Sequence, residues 1–196
     1  MFVTIVGPDG VGKTSLADRV VSAGRGRALY FHFCPTRAQP LRPFVHLGDE
    51  PVPPMPPAEG SRALGALRLG RSFLRFWWAY LVHIRPAKAD GNLVVADRWG
   101  YGYQASPRAV RFYGPSWLAR LAVALIPKPD IIFNLTGTPE MIHARKADLE
   151  PHVIAQELRG WGSLDPARRV DVDASPSLED LTERLLRELG DAGWSR

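Results

Sequence analysis

Disulfides, membrane-length apolar runs and acidic counter-charge are all scarce in this chain. Across 196 residues there is one cysteine, Cys34, so no intrachain disulfide can form and no cysteine-cluster zinc site can be built. That usage suits a reducing compartment. The most apolar segments, residues 73–84 and 117–126, are about half the length a bilayer-crossing helix requires, and no transmembrane segment is expected. No basic leader precedes an apolar run at the start, where the residues already read as strand and turn, so a cytoplasmic location is expected. Internal repeats and charged tails are absent from the sequence. Acids are outnumbered, 20 Asp and Glu against 25 Lys and Arg, for a net charge of +5 and a pI near 9.7. This balance favours anionic partners: nucleotides, sugar phosphates, nucleic acid or an acidic membrane surface. Nucleic acid is not expected, because only residues 71–78 interleave basic and aromatic side chains.

What is present is the pattern of one α/β domain. An apolar content of 45% over residues 1–196 supports a sizeable single core. Apolar runs bounded by turn residues predict strands at Phe2–Val6, Ala28–Phe33, Leu93–Ala96, Ile131–Leu135 and Val170–Val172. Helical patterns lie between them at Thr14–Ala23, Arg62–Arg85, Ser116–Ile126, Pro139–Arg159 in pieces, and Leu178–Leu189, the last capped by Ser177. Alternation of this kind predicts right-handed crossovers and a five-stranded, mostly parallel sheet flanked by helices, with ligands at the carboxyl ends of its strands. Residues 48–60 hold Pro51, Pro53, Pro54, Pro56 and Pro57 and read as a restricted surface loop, either a linker or a cover for a ligand site. In the long second helix Phe73, Leu74, Phe76, Trp77, Trp78, Tyr80, Leu81 and Ile84 surround most of the circumference. Burial on several sides is expected, the alternatives being a lipid surface, with Arg68, Arg71 and Arg75 on anionic headgroups, or a homodimer interface.

The first strand runs into Gly7-Pro8-Asp9-Gly10-Val11-Gly12-Lys13-Thr14, a complete GxxxxGK(S/T) phosphate-binding pattern. Glycines let backbone N–H groups converge on phosphate oxygens at a helix N-terminus, where free donors and the helix dipole attract anions. Lys13 is positioned to reach β- and γ-phosphates, and Thr14 to offer its hydroxyl to magnesium. Leu93 to Arg98 place the Asp97 carboxylate at the end of a buried strand, from which it can hold the same metal shell, with Arg98 aimed into the cleft. Arg145 and Lys146 begin a second basic group, with Arg159 further on, a candidate cationic lid over residues 143–160.

The segments GPDGVGKTS, TRAQP, ADRW, PDIIFNLTGTPE and VDVDASPSLEDL together resemble the thymidylate-kinase-like branch of the P-loop nucleoside monophosphate kinases. ADRWGYGY, GPSWLARLAVALIPKPDIIF and MIHARKADLE are similar to the divergent members associated with bacterial surface polysaccharides. The resemblance implies a three-layer P-loop kinase fold and an ATP- and Mg²⁺-dependent kinase whose acceptor is a phosphorylated small molecule. It assigns ATP to Gly7, Gly10, Val11, Gly12, Lys13, Thr14 and Ser15, with Ala174 beside adenine. Asp9 would face an acceptor hydroxyl, Arg37 and Arg98 would grip the acceptor phosphate, Gln104 would join the substrate site, Thr14 and Asp97 would hold Mg²⁺, and Arg145 would serve the lid. Thr36–Pro40 departs from the usual TREPG, the spacing from Asp97 to Gln104 is short, and Thr136 stands where many relatives carry an acid, which weighs against thymine. A sugar or glycolipid-precursor kinase is the alternative acceptor class, and a nucleotide-binding regulator the alternative without turnover. Asp97–Gly100 also fits the DxxG of GTPase switches, but no NKxD guanine-reading segment follows.

Overall fold

The computed structural model describes residues 1–32, 60–147, 149–164 and 168–195. In chain order it runs β1 (Phe2–Val6), α1 (Lys13–Ala23), β2 (Ala28–His32), α2 (Arg62–Ala79), a π turn (Tyr80–Ile84), α3 (Arg85–Ala89), β3 (Leu93–Asp97), a 3₁₀ turn (Trp99–Tyr101) and α4 (Gly102–Ala105). It continues with α5 (Ser116–Leu125), β4 (Ile131–Thr136), α6 (Pro139–Arg145), α7 (Pro151–Gly162), β5 (Arg169–Asp173) and α8 (Leu178–Asp191). The strands form one five-stranded sheet in the order β2-β3-β1-β4-β5, every pair parallel, with helices on both faces.

Continuous apolar composition is what a strand covered on both faces requires, and β1 is buried at every position. Its side chains alternate between two cores. Phe2 and Val6 face the one that also contains Phe76, Trp99, Ile132 and Trp161. Val3 and Ile5 face the other, with Leu16 and Val20 of α1 and Leu181, Leu185 and Leu189 of α8. The polar exception in β1, Thr4, is satisfied by donating Oγ1–H to the Ala96 carbonyl at 3.0 Å, as burial of a hydroxyl demands.

Sequence expectations and structure differ in informative places. β3 extends one residue to Asp97, which pairs with Ile5 and His32, and β5 widens to Arg169–Asp173 through pairing with β4. The single helix expected over 62–85 bulges through the π turn and continues to Ala89. The 139–159 segment breaks after Arg145 and restarts at Pro151, a residue suited to the first helical turn. Ser177 caps α8, its Oγ accepting from the Asp180 amide at 3.2 Å.

Burial of α2 on several sides is not what the structure holds. Leu69, Ser72, Phe76 and Ala79 are buried, while Leu67, Leu74 and Trp78 are 71%, 68% and 62% exposed. The covered face meets the turn after β3 and the helices beside it: Phe76 packs on Trp99, Ser72 Oγ accepts from the Tyr103 hydroxyl at 2.7 Å, and α5 lies alongside, which leaves the opposite face bare. The proline-rich stretch lies outside the described residues, except for Gly60.

Candidate functional site

Three strands end together. Because Ile5 pairs with Asp97 and Val6 with Asn134, the turn leaving β1 emerges between the ends of β3 and β4, the crevice where open parallel sheets bind ligands. That turn is residues 7–12. Gly7, Gly10 and Gly12 have φ of +140°, +85° and +101°, a region that side chains with a Cβ rarely enter. At Gly7 a Cβ would also stand 2.8 Å from the Leu135 carbonyl oxygen, so the turn crosses β4 too closely for any side chain. Val11, almost fully buried, pins the turn to the core.

Helix α1 then begins with no side-chain cap and no acid in its first turn, whereas α6 and α8 both carry such caps and acids. An uncapped positive helix end of this kind is one that an anion can satisfy. Thr14 and Ser15 are exposed on this turn. Lys13 is 6% exposed and folds back, its Nζ donating to the Pro8 carbonyl at 2.6 Å and lying 3.6 Å from Asp9 Oδ1. Burial lowers its pKa below the ordinary lysine value; Asp97 and Glu157 pull it up, and Lys146 pushes it further down.

Arg98 leaves β3 with φ +57°, and Trp99 follows at +46°, two successive non-glycine residues in the left-handed region. Packing holds this turn in place. The Trp99 ring lies 5.2 Å from Phe2 and 4.8 Å from Phe76, centroid to centroid, and its Nε1–H donates to the Pro127 carbonyl at 2.9 Å. The result aims Arg98 across the crevice, where Nη2 donates to Asp9 Oδ1. Burial draws the Arg98 pKa down and Glu157 draws it back up. Beside it, Asp97 Oδ2 is 3.5 Å from the Tyr30 hydroxyl, whose pKa is raised above the ordinary phenol value by burial first and Asp97 second.

The helices beyond β4 complete the site. Gly10 abuts the start of the expected lid: a Cβ there would come within 2.9 Å of Lys146 Cβ. Arg145 Nη2 donates to the Ala174 carbonyl at 2.9 Å, bringing the expected lid arginine and the expected adenine-side residue into contact. The turn after β5 is held by Asp173, which accepts from the Ser175 amide at 3.0 Å and hydroxyl at 2.7 Å; these bonds keep its carboxyl below the usual range.

The structure therefore joins Asp9, Lys13 and Arg98 directly and sets Asp97 beside them. Gln104 is half-buried on α4 and is not among the side chains hydrogen-bonded or ion-paired within that group. Arg37 lies outside the described residues. Two participants were not anticipated, Tyr30 and Glu157. Glu157 accepts from Ser106 Oγ at 2.7 Å and acts electrostatically on both Lys13 and Arg98. Its signal was in the pattern, since it stands three residues after buried Ile154 and four before buried Trp161, an acid on the inward face of an amphipathic helix.

Among the described residues no three His, Cys, Asp or Glu side chains gather to hold a metal unaided. Thr14 and Asp97 are hard oxygen donors on separate elements, a set that suits Mg²⁺ shared with phosphate oxygens and water. No protein-family model and no curated protein matches this chain.

Proposed function

We propose that this protein is an ATP- and Mg²⁺-dependent phosphotransferase that moves a γ-phosphoryl group to a phosphorylated small molecule, a nucleoside monophosphate by preference. The observation carrying this reading is the convergence of Lys13 and Arg98 on one carboxylate, that of Asp9, at the mouth of a glycine turn with an uncapped helix behind it. A carboxylate there stands in for the anionic oxygens that two such cations and a helix N-terminus would hold.

On nucleotide binding, Lys13 would exchange the Pro8 carbonyl for β- and γ-phosphate oxygens, and the amides of residues 10–15 would surround them. Mg²⁺ held by Thr14 and Asp97 would offset phosphate charge. Arg98 would turn from Asp9 to the acceptor phosphate, leaving Asp9 for an acceptor hydroxyl. An acceptor phosphate oxygen then bonds to the γ-phosphorus as the bond from that atom to the β–γ bridging oxygen breaks, yielding ADP. A phosphate acceptor is already anionic near neutral pH, so no general base is required and positioning supplies most of the rate. Lys146, against the turn at Gly10, and Arg145 supply positive charge on the lid side.

A hydroxyl acceptor, as in a sugar or glycolipid-precursor kinase, is the second reading. Glu157 favours it, because a carboxylate oriented by Ser106 beside the cations can order or deprotonate a hydroxyl. A transfer screen with labelled ATP against nucleoside monophosphates, nucleosides, sugars and sugar phosphates decides between them. Labelled nucleoside diphosphate is the expected product. Label confined to sugars would replace the first reading by the second, and ATP binding without transfer to any acceptor would leave a nucleotide-binding regulator.

A further inference from the structure

Helix α2 and its π turn present an apolar stripe to solvent at helical spacing: Leu64, Leu67, Leu74, Trp78 and Leu81, the most exposed being Leu67. Helix α5 presents a second, Trp117, Leu121 and Leu125, with Trp117 58% exposed. The two helices are neighbours, and the seam between them is itself apolar, lined by Phe73, Phe76, Tyr103, Ala122 and Val123. Scattered surface leucines need no explanation, but two tryptophan-bearing stripes on adjacent helices do.

Charge says what covers them. From Ser61 to Ala89 the chain has no Asp or Glu, and Arg62, Arg68, Arg71 and Arg85 are exposed along it, whereas Arg75 is half-buried with its Nη2 enclosed and adds nothing to the surface. From Arg98 to Pro129 it again has no acid, while Arg108, Arg111 and Arg120 add to the cations. The acids lie elsewhere in the chain; of these, Asp130 pairs with Lys88 at 2.8 Å at the edge of this face. We infer that the α2–α5 face is a docking surface for an anionic lipid bilayer, its leucines and tryptophans entering the headgroup boundary and its arginines reaching lipid phosphates.

The alternatives fit less well. A twofold dimer would set this acid-free face against itself, arginines opposing arginines, because an isologous contact uses the same patch twice. Nucleic acid would satisfy the cations but offers no hydrocarbon to a stripe of leucines. A bilayer of anionic lipid supplies both, with tryptophan at the depth it prefers.

The test is co-sedimentation of the full chain with vesicles of phosphatidylcholine alone, and of phosphatidylcholine and phosphatidylglycerol in equal parts, at low and high salt. Binding to the anionic vesicles, weakened by salt, is expected, with little to the neutral ones. Arg85→Gln with Arg120→Gln should weaken it about 30-fold, near fivefold per arginine. Leu74→Ser with Trp78→Ser should abolish it while leaving far-ultraviolet circular dichroism and ATP binding unchanged, since neither residue touches the crevice. Failure of the wild-type protein to pellet with the anionic vesicles overturns the proposal. So does a stable dimer by light scattering that Leu74→Ser with Trp78→Ser dissociates, or equal loss of vesicle binding and of binding to a DNA duplex in the arginine variant with none in the Leu74 and Trp78 variant.

Discussion

Arg98 at the end of β3 and Asp9 in the turn after β1 are joined by an Nη2–H to Oδ1 hydrogen bond, and the same oxygen is 3.6 Å from Lys13 Nζ. One acid thus occupies both cations, the two that the proposed function assigns to phosphate. Asp9 is nearly half-exposed, so the pairing is worth at most about 1 kcal/mol, little enough for a multiply charged ligand to displace it.

Asp9→Asn should therefore tighten ATP, by up to about fivefold, while slowing phosphoryl transfer through loss of the acceptor contact. Calorimetry with ATP and a steady-state assay read the two effects separately. Weaker ATP binding would mean that the carboxylate organises the turn and does not compete with phosphate.

Arg98→Gln should raise KM for the acceptor roughly 10- to 100-fold, the worth of a charge-assisted hydrogen bond, with ATP affinity changed less than about threefold. Acceptor and nucleotide titrations on one preparation provide the check.

Gly10→Ala and Gly12→Ala separate backbone strain from crowding. Both impose a left-handed conformation on alanine, at about 1–2 kcal/mol. Only at Gly10 does the new methyl group also meet a neighbour, Lys146 Cβ at 2.9 Å; at Gly12 nothing lies within 4 Å. Thermal melts should show Gly10→Ala several degrees below Gly12→Ala, since about 1 kcal/mol shifts Tm by about 2–4 °C in a chain of this size.

Lys13→Met should abolish measurable ATP heat yet melt no lower than the parent protein. Burial holds the Lys13 pKa beneath its ordinary 10.5, so the unfolded chain binds this proton more readily and the fold is penalised for keeping the charge. The sign follows: ligand-free stability gains from this group as pH climbs toward 10.5, and the gain is absent from Lys13→Met. Chemical denaturation from neutral to alkaline pH measures both slopes.

Tyr30 acts in the opposite sense. Its phenol is neutral in the fold well beyond pH 10.0, where an exposed phenol titrates, so its contribution is complete below that pH and is lost as pH rises above it. Tyr30→Phe should flatten the stability loss above pH 10.0 in the same denaturation series.

Much of this was legible along the chain because it is decided within a few residues. Continuous burial makes β1 and β3 read as apolar runs, glycines at positive φ make the turn of residues 7–12 readable, and the Ser177 cap announces α8. Element ends were less legible. The addition of Asp97 to β3 comes from a partner strand, and the break before Pro151 was visible only as a segment in pieces.

What the order of residues determined by itself is the set of parts: a glycine turn between a buried strand and a helix, an Asp-Arg pair at a later strand end, and five strands alternating with helices. Tertiary structure alone decided which parts meet. Strand register sets Asp97 beside β1, the buried Trp99 turns Arg98 onto Asp9, and the passage of α7 over α4 brings Glu157 to Ser106. It also decided which side of α2 stays bare, because a helix apolar nearly all round carries no local preference, and only the neighbours it lands on, the Trp99 turn, Tyr103 and α5 among them, select the face that is covered.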